Sequence, residues 1–468
     1  MRRVISGLVG AALIASAGWA QVAPRPMPQI RPPVPAPPIV RVPESPPPEF
    51  NARNLLPATT ALYQAYVRDG RVPGIVGAFA VSDYPTLYVS AGGISAEPGA
   101  SAAGPDSLWR VYSMTKPVTA MAAMILIEEG KIGLDDPLSK YFPAFAHMRV
   151  MTDPDRSLAS RPATHPITIR ELLTHTAGLG YSIVTKGPLL HEYERLGIVP
   201  FASDTGTEAK LRPTRPATLA EFANRVATLP LIAEPGTKWS YSIGLDVMGA
   251  VIERASGMPF DAFVQARLFG PLRMTDSWWQ VPAAAAPRLA TVYAYLGDTR
   301  TVLDPGVTSV FLQRPSFPYG GAGLVTSARD YDRFLHMIAS GGILDGVRVL
   351  KPETVALATS NLLPPGVFFR GMSGDGTPNG FGAGGSVTLA DGPGGFPGKG
   401  TYGWSGAAGT LAWVDPVRHF RGTVMVNYFP ADRVPLRVET ARALAADSRN
   451  TFSAEMRKLT EAGPGTNR

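Results

Sequence analysis

The stretch from Ser113 to Glu129 constrains the fold more than any other part of the sequence. Val118, Met121, Ala122, Met124, Ile125, Leu126 and Ile127 put apolar side chains on nearly every side of a helix that Gly130 ends. A helix without a polar face cannot lie on a surface, so other elements must surround it. With 468 residues and 45% hydrophobic content, the chain can supply that surrounding core in one or two closely packed domains.

Flanking patterns indicate what those elements are. Residues 53–69 read as a helix, and GIVGAFAV (74–81) and TLYVSAGG (86–93) as strands joined by the turn formers Ser82-Asp83-Tyr84-Pro85. A capping box from Thr168 to Glu171 opens a helix over 168–177, and further helices are expected over 217–229 and 244–256, the last closed by Gly257. Toward the carboxyl end, Ser327 and Asp330 cap a helix running to about Ala339. GAAGTLAWVD (406–415) and RGTVMVNYF (421–429) alternate like antiparallel strands, and a final helix covers 435–462. The glycine-rich stretch 371–400 reads as loops and a short strand; it holds no G-x-x-x-x-G-K-[ST] phosphate cradle. Strands at both ends with helices between them predict an α/β (α+β) fold. Its antiparallel sheet, flanked by helices, is built from 51–113 and 291–463, with a mostly helical domain inserted over 114–290 and a short tail at 464–468.

The amino terminus points to export. Arg2 and Arg3 precede an apolar run from Ile5 to Ala17, too short to span a bilayer, and Gly18-Trp19-Ala20 offers small residues for cleavage, so residues 1–20 read as a signal peptide. Residues 21–50, with proline every two or three positions, read as a polyproline-II linker. The expected location is periplasmic or secreted, with no integral membrane span after signal cleavage. The absence of cysteine excludes disulfides and thiolate zinc sites and is compatible with an oxidising compartment. The net charge of +7 falls to (44−5)−(37−2) = +4 beyond residue 50, too thinly spread for a nucleic-acid partner.

Three segments can carry chemistry. In VYSMTKPVTA, Ser113 and Lys116 are three residues apart at the start of the apolar helix, so their side chains share a face. A serine hydroxyl needs a base, and a lysine serves as one only where burial and neighbouring positive character favour its neutral form. The helix end also directs free N–H groups at an approaching carbonyl. In GTKWSYSIGLDVMG, Tyr241 lies in the loop before a helix, where a tyrosine beside a lysine can pass protons. In GTYGWSGAAGTLAW, Trp404-Ser405-Gly406 leads into a strand that can offer the Ala407 N–H as a second oxyanion donor, with Trp404 walling an acyl pocket. Taken singly, the three segments read as a capped helix, a packing aromatic and a tight strand.

Together, Ser113-Met114-Thr115-Lys116, Tyr241-Ser242-Ile243 and Trp404-Ser405-Gly406 resemble, in order and spacing, the S-x-x-K, Y-x-N and K-T-G motifs of the serine β-lactamase and penicillin-binding-protein superfamily. EEGKIGLDDPLSKYFP, ITIRELLTHTAGLGY and GGAGLVTSARDYDRFL are similar to the matching segments of class C β-lactamases and family VIII carboxylesterases, and the resemblance covers about residues 53–445. Ile243 replaces the asparagine, and Trp404 the lysine that meets a β-lactam carboxylate. Both replacements match the esterase branch and a neutral acyl substrate. The resemblance implies hydrolysis of short-chain carboxylic esters through a Ser113 acyl-enzyme, with Lys116 and Tyr241 sharing proton transfer. It also implies an oxyanion hole of the Ser113 and Ala407 N–H groups, a pocket of Tyr112, Ile243, Trp404, Ser405 and Gly406, and no cofactor or metal.

Rival readings are a β-lactamase or D,D-peptidase and, in another class, a non-catalytic relative that binds cell wall or a partner through the same cleft. A Ser-His-Asp hydrolase is disfavoured because no G-x-S-x-G elbow occurs, and His165 and His175 read as structural. A metalloenzyme is disfavoured because the six histidines form no H-E-x-x-H.

Overall fold

The computed structural model of the chain describes residues 52–371, 376–393 and 396–448. The expected signal peptide, linker and tail, with the last turns of the final helix, lie outside them. Helix α1 (Pro57–Arg68) precedes strands β1 (Gly74–Val81) and β2 (Leu87–Gly92), and β3 (Leu108–Arg110) leads into helix α2 (Thr115–Glu128). A helical stretch follows, including α3 (Ile169–Leu173), α4 (Leu219–Ala227) and α5 (Gly244–Ser256). The chain then returns through β4 (Val325–Ser327), α6 (Ala328–Ala339), β5 (Asn379–Phe381), β6 (Ser386–Thr388), β7 (Tyr402–Ser405), β8 (Leu411–Asp415), β9 (Phe420–Met425) and α7 (Leu436–Asp447).

The main sheet has seven strands in the order β5-β6-β7-β8-β9-β1-β2, and every pair in it is antiparallel. It is therefore built from the two ends of the folded chain, joined where β1 pairs β9, Val76 opposite Met425. β1 is apolar without alternation because both of its faces are covered. Ile75 and Phe79 pack with Tyr63 and Tyr66 of α1 and Leu436 and Leu444 of α7, whereas Val76 and Ala78 belong to the larger core containing Tyr331 and Phe334 of α6.

Helix α2 runs through that larger core, and every residue from Thr115 to Leu126 is buried. Its neighbours include α5, on which Gly257 adopts the left-handed conformation (φ 71°) that closes the helix. The caps at Thr168, Thr218 and Ser327 each bond the N–H three residues on.

Several boundaries differ from the sequence reading. Residues 112–114 form a 3₁₀ turn before α2 begins at Thr115. The helix after Thr168 stops at Leu173 because His175 is left-handed (φ 59°). Trp404 and Ser405 end a strand rather than lead into one: a turn over 406–410 intervenes, with Gly409 at φ 88°, and β8 begins at Leu411. The 421–429 stretch is not one strand, since β9 ends at Met425 and Tyr428–Phe429 pairs parallel to Val292–Leu296 in a separate sheet. The glycine-rich region supplies two strands at one end of the sheet, β5 at its edge and β6 next to it, where one was expected.

Candidate active site

Ser113 sits on a turn tied down from several directions. The side chain of Asn427 grips both backbone groups of Arg110: its Oδ1 accepts the Arg110 N–H at 3.1 Å and its Nδ2 donates to the Arg110 carbonyl at 2.9 Å. The Arg110 guanidinium, wholly buried, pairs with Asp304 at 2.5 Å, where excluded water makes the ion pair depend on its fit. Beyond the serine, Thr115 Oγ1 donates to the Tyr112 carbonyl at 2.6 Å and Tyr331 OH donates to the Met114 carbonyl at 2.9 Å. Within this frame Tyr112 is forced to φ 40°, a region costly for a bulky residue and tolerated where surrounding contacts over-determine it.

Two side chains meet Ser113 Oγ. Tyr241 OH donates to it at 2.6 Å and Lys116 Nζ at 3.3 Å. Lys116 is fully buried; its ammonium also donates to the Gly321 carbonyl at 2.9 Å and lies over the rings of Tyr241 (4.6 Å) and Tyr181 (5.1 Å). Tyr241, 128 residues from Ser113 in sequence, is thus brought into contact with the Ser113–Lys116 pair.

Behind the lysine lies a group that motif reading missed. Asp246, fully buried on α5, accepts the Gly321 N–H at 2.8 Å, so one residue's backbone connects carboxyl and ammonium through its N–H and its carbonyl. Burial pushes the Asp246 carboxyl up to about 7, opposed by the Lys116 charge and the Gly321 N–H. Gly321 permits this approach: a Cβ there would lie 2.5 Å from Asp246 Oδ2. The available signal was an acidic residue on the buried side of an apolar helix.

The β7–β8 turn closes against the serine turn. A Cβ on Gly406 would collide with the Val111 carbonyl oxygen, so glycine lets the two backbones touch. The neighbouring Ala407 is exposed and its N–H has no partner among the described residues. Ser405 is half-buried and Gly406 donates to the Thr410 carbonyl at 2.8 Å. Trp404 is buried in an aromatic cluster with Tyr241 (5.9 Å between centroids), Phe381 (5.2 Å) and Phe369 (6.0 Å), and Trp239 joins it at 4.5 Å from Phe369. The other two residues assigned to the pocket turn their side chains into the core: Ile243 is fully buried and Tyr112 packs on Phe311 and Phe429.

His175 also reaches the site, with its ring 4.9 Å from that of Tyr241. Burial first, and the Lys116 charge second, hold its imidazole well below the usual value and therefore neutral. Among the described residues no cluster of acidic and histidine side chains is arranged to hold a metal ion. A serine oxygen between a phenol and an ammonium, on a turn packed against the one that carries the Ala407 N–H, has the parts needed for acyl transfer.

The Beta-lactamase family model matches residues 59–447. An uncharacterized protein of Mycobacterium tuberculosis (strain CDC 1551 / Oshkosh) is 36% identical over 73% of this chain and 82% of its own length. Esterase EstB of Burkholderia gladioli is 33% identical over 66% of this chain and 74% of its own length. Among solved structures, EstCE1, described as a hydrolase with promiscuous acyltransferase activity, shares the fold with a TM-score of 0.69, covering 84% of this chain and 98% of its own at 24% identity.

Proposed function

Since the chain belongs to the beta-lactamase family, we propose that it is a serine hydrolase cleaving short-chain carboxylic esters through an acyl-enzyme on Ser113. The observation that carries this reading is the convergence of Tyr241 OH and Lys116 Nζ on Ser113 Oγ, at 2.6 and 3.3 Å. Ester chemistry is supported by the similarity to an esterase and by Trp404, an indole at the place of the lysine in the K-T-G motif that this segment resembles.

In the proposed cycle the Lys116–Tyr241 pair first gives up one proton, leaving an amine beside the phenol or a phenolate beside the ammonium. Ser113 Oγ then attacks the ester carbonyl while its proton passes into that vacancy. The N–H groups of Ser113 and Ala407 hold the oxyanion. Collapse of the tetrahedral intermediate breaks the bond to the alkoxy oxygen, which leaves with the proton held by the pair. Water then attacks the acyl-enzyme by the reverse proton route and releases the carboxylic acid and free Ser113.

The test compares kcat/KM for p-nitrophenyl butyrate with that for a chromogenic cephalosporin, alongside organophosphonate labelling of the native protein and of Ser113→Ala. The expected result is preference for the ester and labelling that disappears in S113A. A much better rate on the cephalosporin overturns the esterase reading, and persistent labelling of S113A places the nucleophile elsewhere.

A further inference from the structure

His175 holds the segment around Tyr241 at two points. Its backbone carbonyl accepts the Ser240 N–H at 2.9 Å, and its ring Nδ1 accepts the Ser242 N–H at 3.2 Å. Ser242 Oγ lies 2.8 Å from the same Nδ1. One residue therefore bonds both immediate neighbours of Tyr241. Such a double grip requires carbonyl and side chain to reach the same loop, and the left-handed backbone of His175, at φ 59°, is the conformation in which they do. That conformation costs energy for a residue with a Cβ, so it persists where the surroundings impose it.

The ring's chemistry fits the same role. To accept the Ser242 N–H, Nδ1 must be unprotonated, which puts the ring proton on Nε2. Nε2 is buried and has no hydrogen-bond partner among the described residues. It is enclosed by Trp239, Tyr241 and Phe381, whose rings stand at steep angles to the imidazole, 79°, 63° and 67°. The facing charged group is Lys116, whose positive charge opposes a second proton on the ring.

We infer that His175 is a positioning residue: acting as a neutral acceptor through Nδ1, and through its own carbonyl, it fixes the Ser240–Ser242 segment so that the Tyr241 hydroxyl meets Ser113. It touches neither Ser113 nor an acyl group in this arrangement and acts through Tyr241. The inference rests on the reading of Tyr241 as part of the proton-transfer pair.

Two substitutions separate the acceptor from the backbone conformation. Asparagine tolerates the left-handed region and its Oδ1 falls near the position of Nδ1, whereas glycine adopts the conformation freely but has no acceptor. For ester turnover, H175N is expected to keep kcat within about threefold of the parent, while H175G loses at least about tenfold in kcat with KM changed less than about threefold. Hydrogen exchange over residues 236–243 reads the grip with no substrate: exchange accelerates in H175G and not in H175N, while α2 stays protected in both, showing that each is folded. Equal kcat or equal exchange in the two variants overturns the inference, whether both are impaired or both unimpaired. An inactive parent on every ester overturns the proposed function alone, since exchange still decides the role of His175.

Discussion

Lys116 is fully buried, and among the described residues only the Gly321 carbonyl and Ser113 Oγ receive its protons, with two aromatic faces completing its shell. A guanidinium is larger, always charged and unable to act as a base, so Lys116→Arg is expected to lower kcat/KM by at least about 100-fold although the charge is kept. Near-parental turnover of p-nitrophenyl butyrate by K116R contradicts a proton-transfer role. Asp246 supplies a pH signature. Its carboxyl binds a proton more tightly in the fold, at about 7, than in the unfolded chain, so its contribution to stability is fully present below about pH 4 and is lost as pH rises through 7. Asp246→Asn removes that loss, and its stability relative to the parent is expected to rise by about 3 kcal/mol from pH 5 to pH 8. Denaturant melts of both proteins at the two pH values check this; a constant difference contradicts it. Ser113, Lys116 and Tyr241 were readable from sequence because their types and spacing are distinctive. Asp246 and His175 were not, because their roles come from Gly321 and from the loop around Tyr241, contacts between segments far apart in the chain.

At the level of elements, local signals and distant ones fared differently. Helices α2, α5 and α6 follow from apolar periodicity and from caps within a few residues, so their positions were legible to within a turn. The run 406–410 looked like a strand because small residues alternate weakly; the structure makes it a turn because Gly406 must lie against Val111 and Gly409 must be left-handed. The break after Met425 has a comparable origin: Asn427 leaves the sheet to bond the backbone of Arg110, a tertiary demand with no local sign. The loop bearing Gly321 provides a test of such close approaches. In Gly321→Ala the new methyl meets Asp246 within a closed core, so a loss of about 1–3 kcal/mol in stability is expected, together with reduced kcat as the Lys116 carbonyl partner shifts. Unchanged melting and unchanged kcat would mean that the loop moves away freely.

Across the whole molecule, the two ends of the folded chain are fastened side by side. Asp447, at the end of α7, accepts the N–H groups of Ala58 and Thr59 at 2.7 and 3.0 Å and the Thr59 hydroxyl at 2.7 Å, capping α1 from the far end of the sequence. Tyr66 OH adds a bond to Glu439 at 2.5 Å. Asp447→Ala leaves these buried donors unpaired and is expected to cost about 1–3 kcal/mol in a denaturant melt, with kcat per folded molecule unchanged. A loss of kcat without a loss of stability would contradict this division of labour. The assembly of the sheet from both ends was legible because β1, β2 and β9 are each locally apolar and strand-like, and the turn formers between β1 and β2 also marked their pairing. The pairing of β1 with β9 was not legible, since it is decided across the whole chain.

The pairing of β1 with β9 also sets a timetable for synthesis. At ribosomal rates, on the order of tens of seconds separate the emergence of Val76 from that of Met425. β2 can cover one edge of β1 almost at once, but the other, apolar and hydrogen-bonding, stays open until nearly the entire folded region has been translated. The nascent chain therefore depends on whatever shields that edge in the interval, and its yield in a cell should respond to chaperone supply and translation speed more than to the stability of the finished fold.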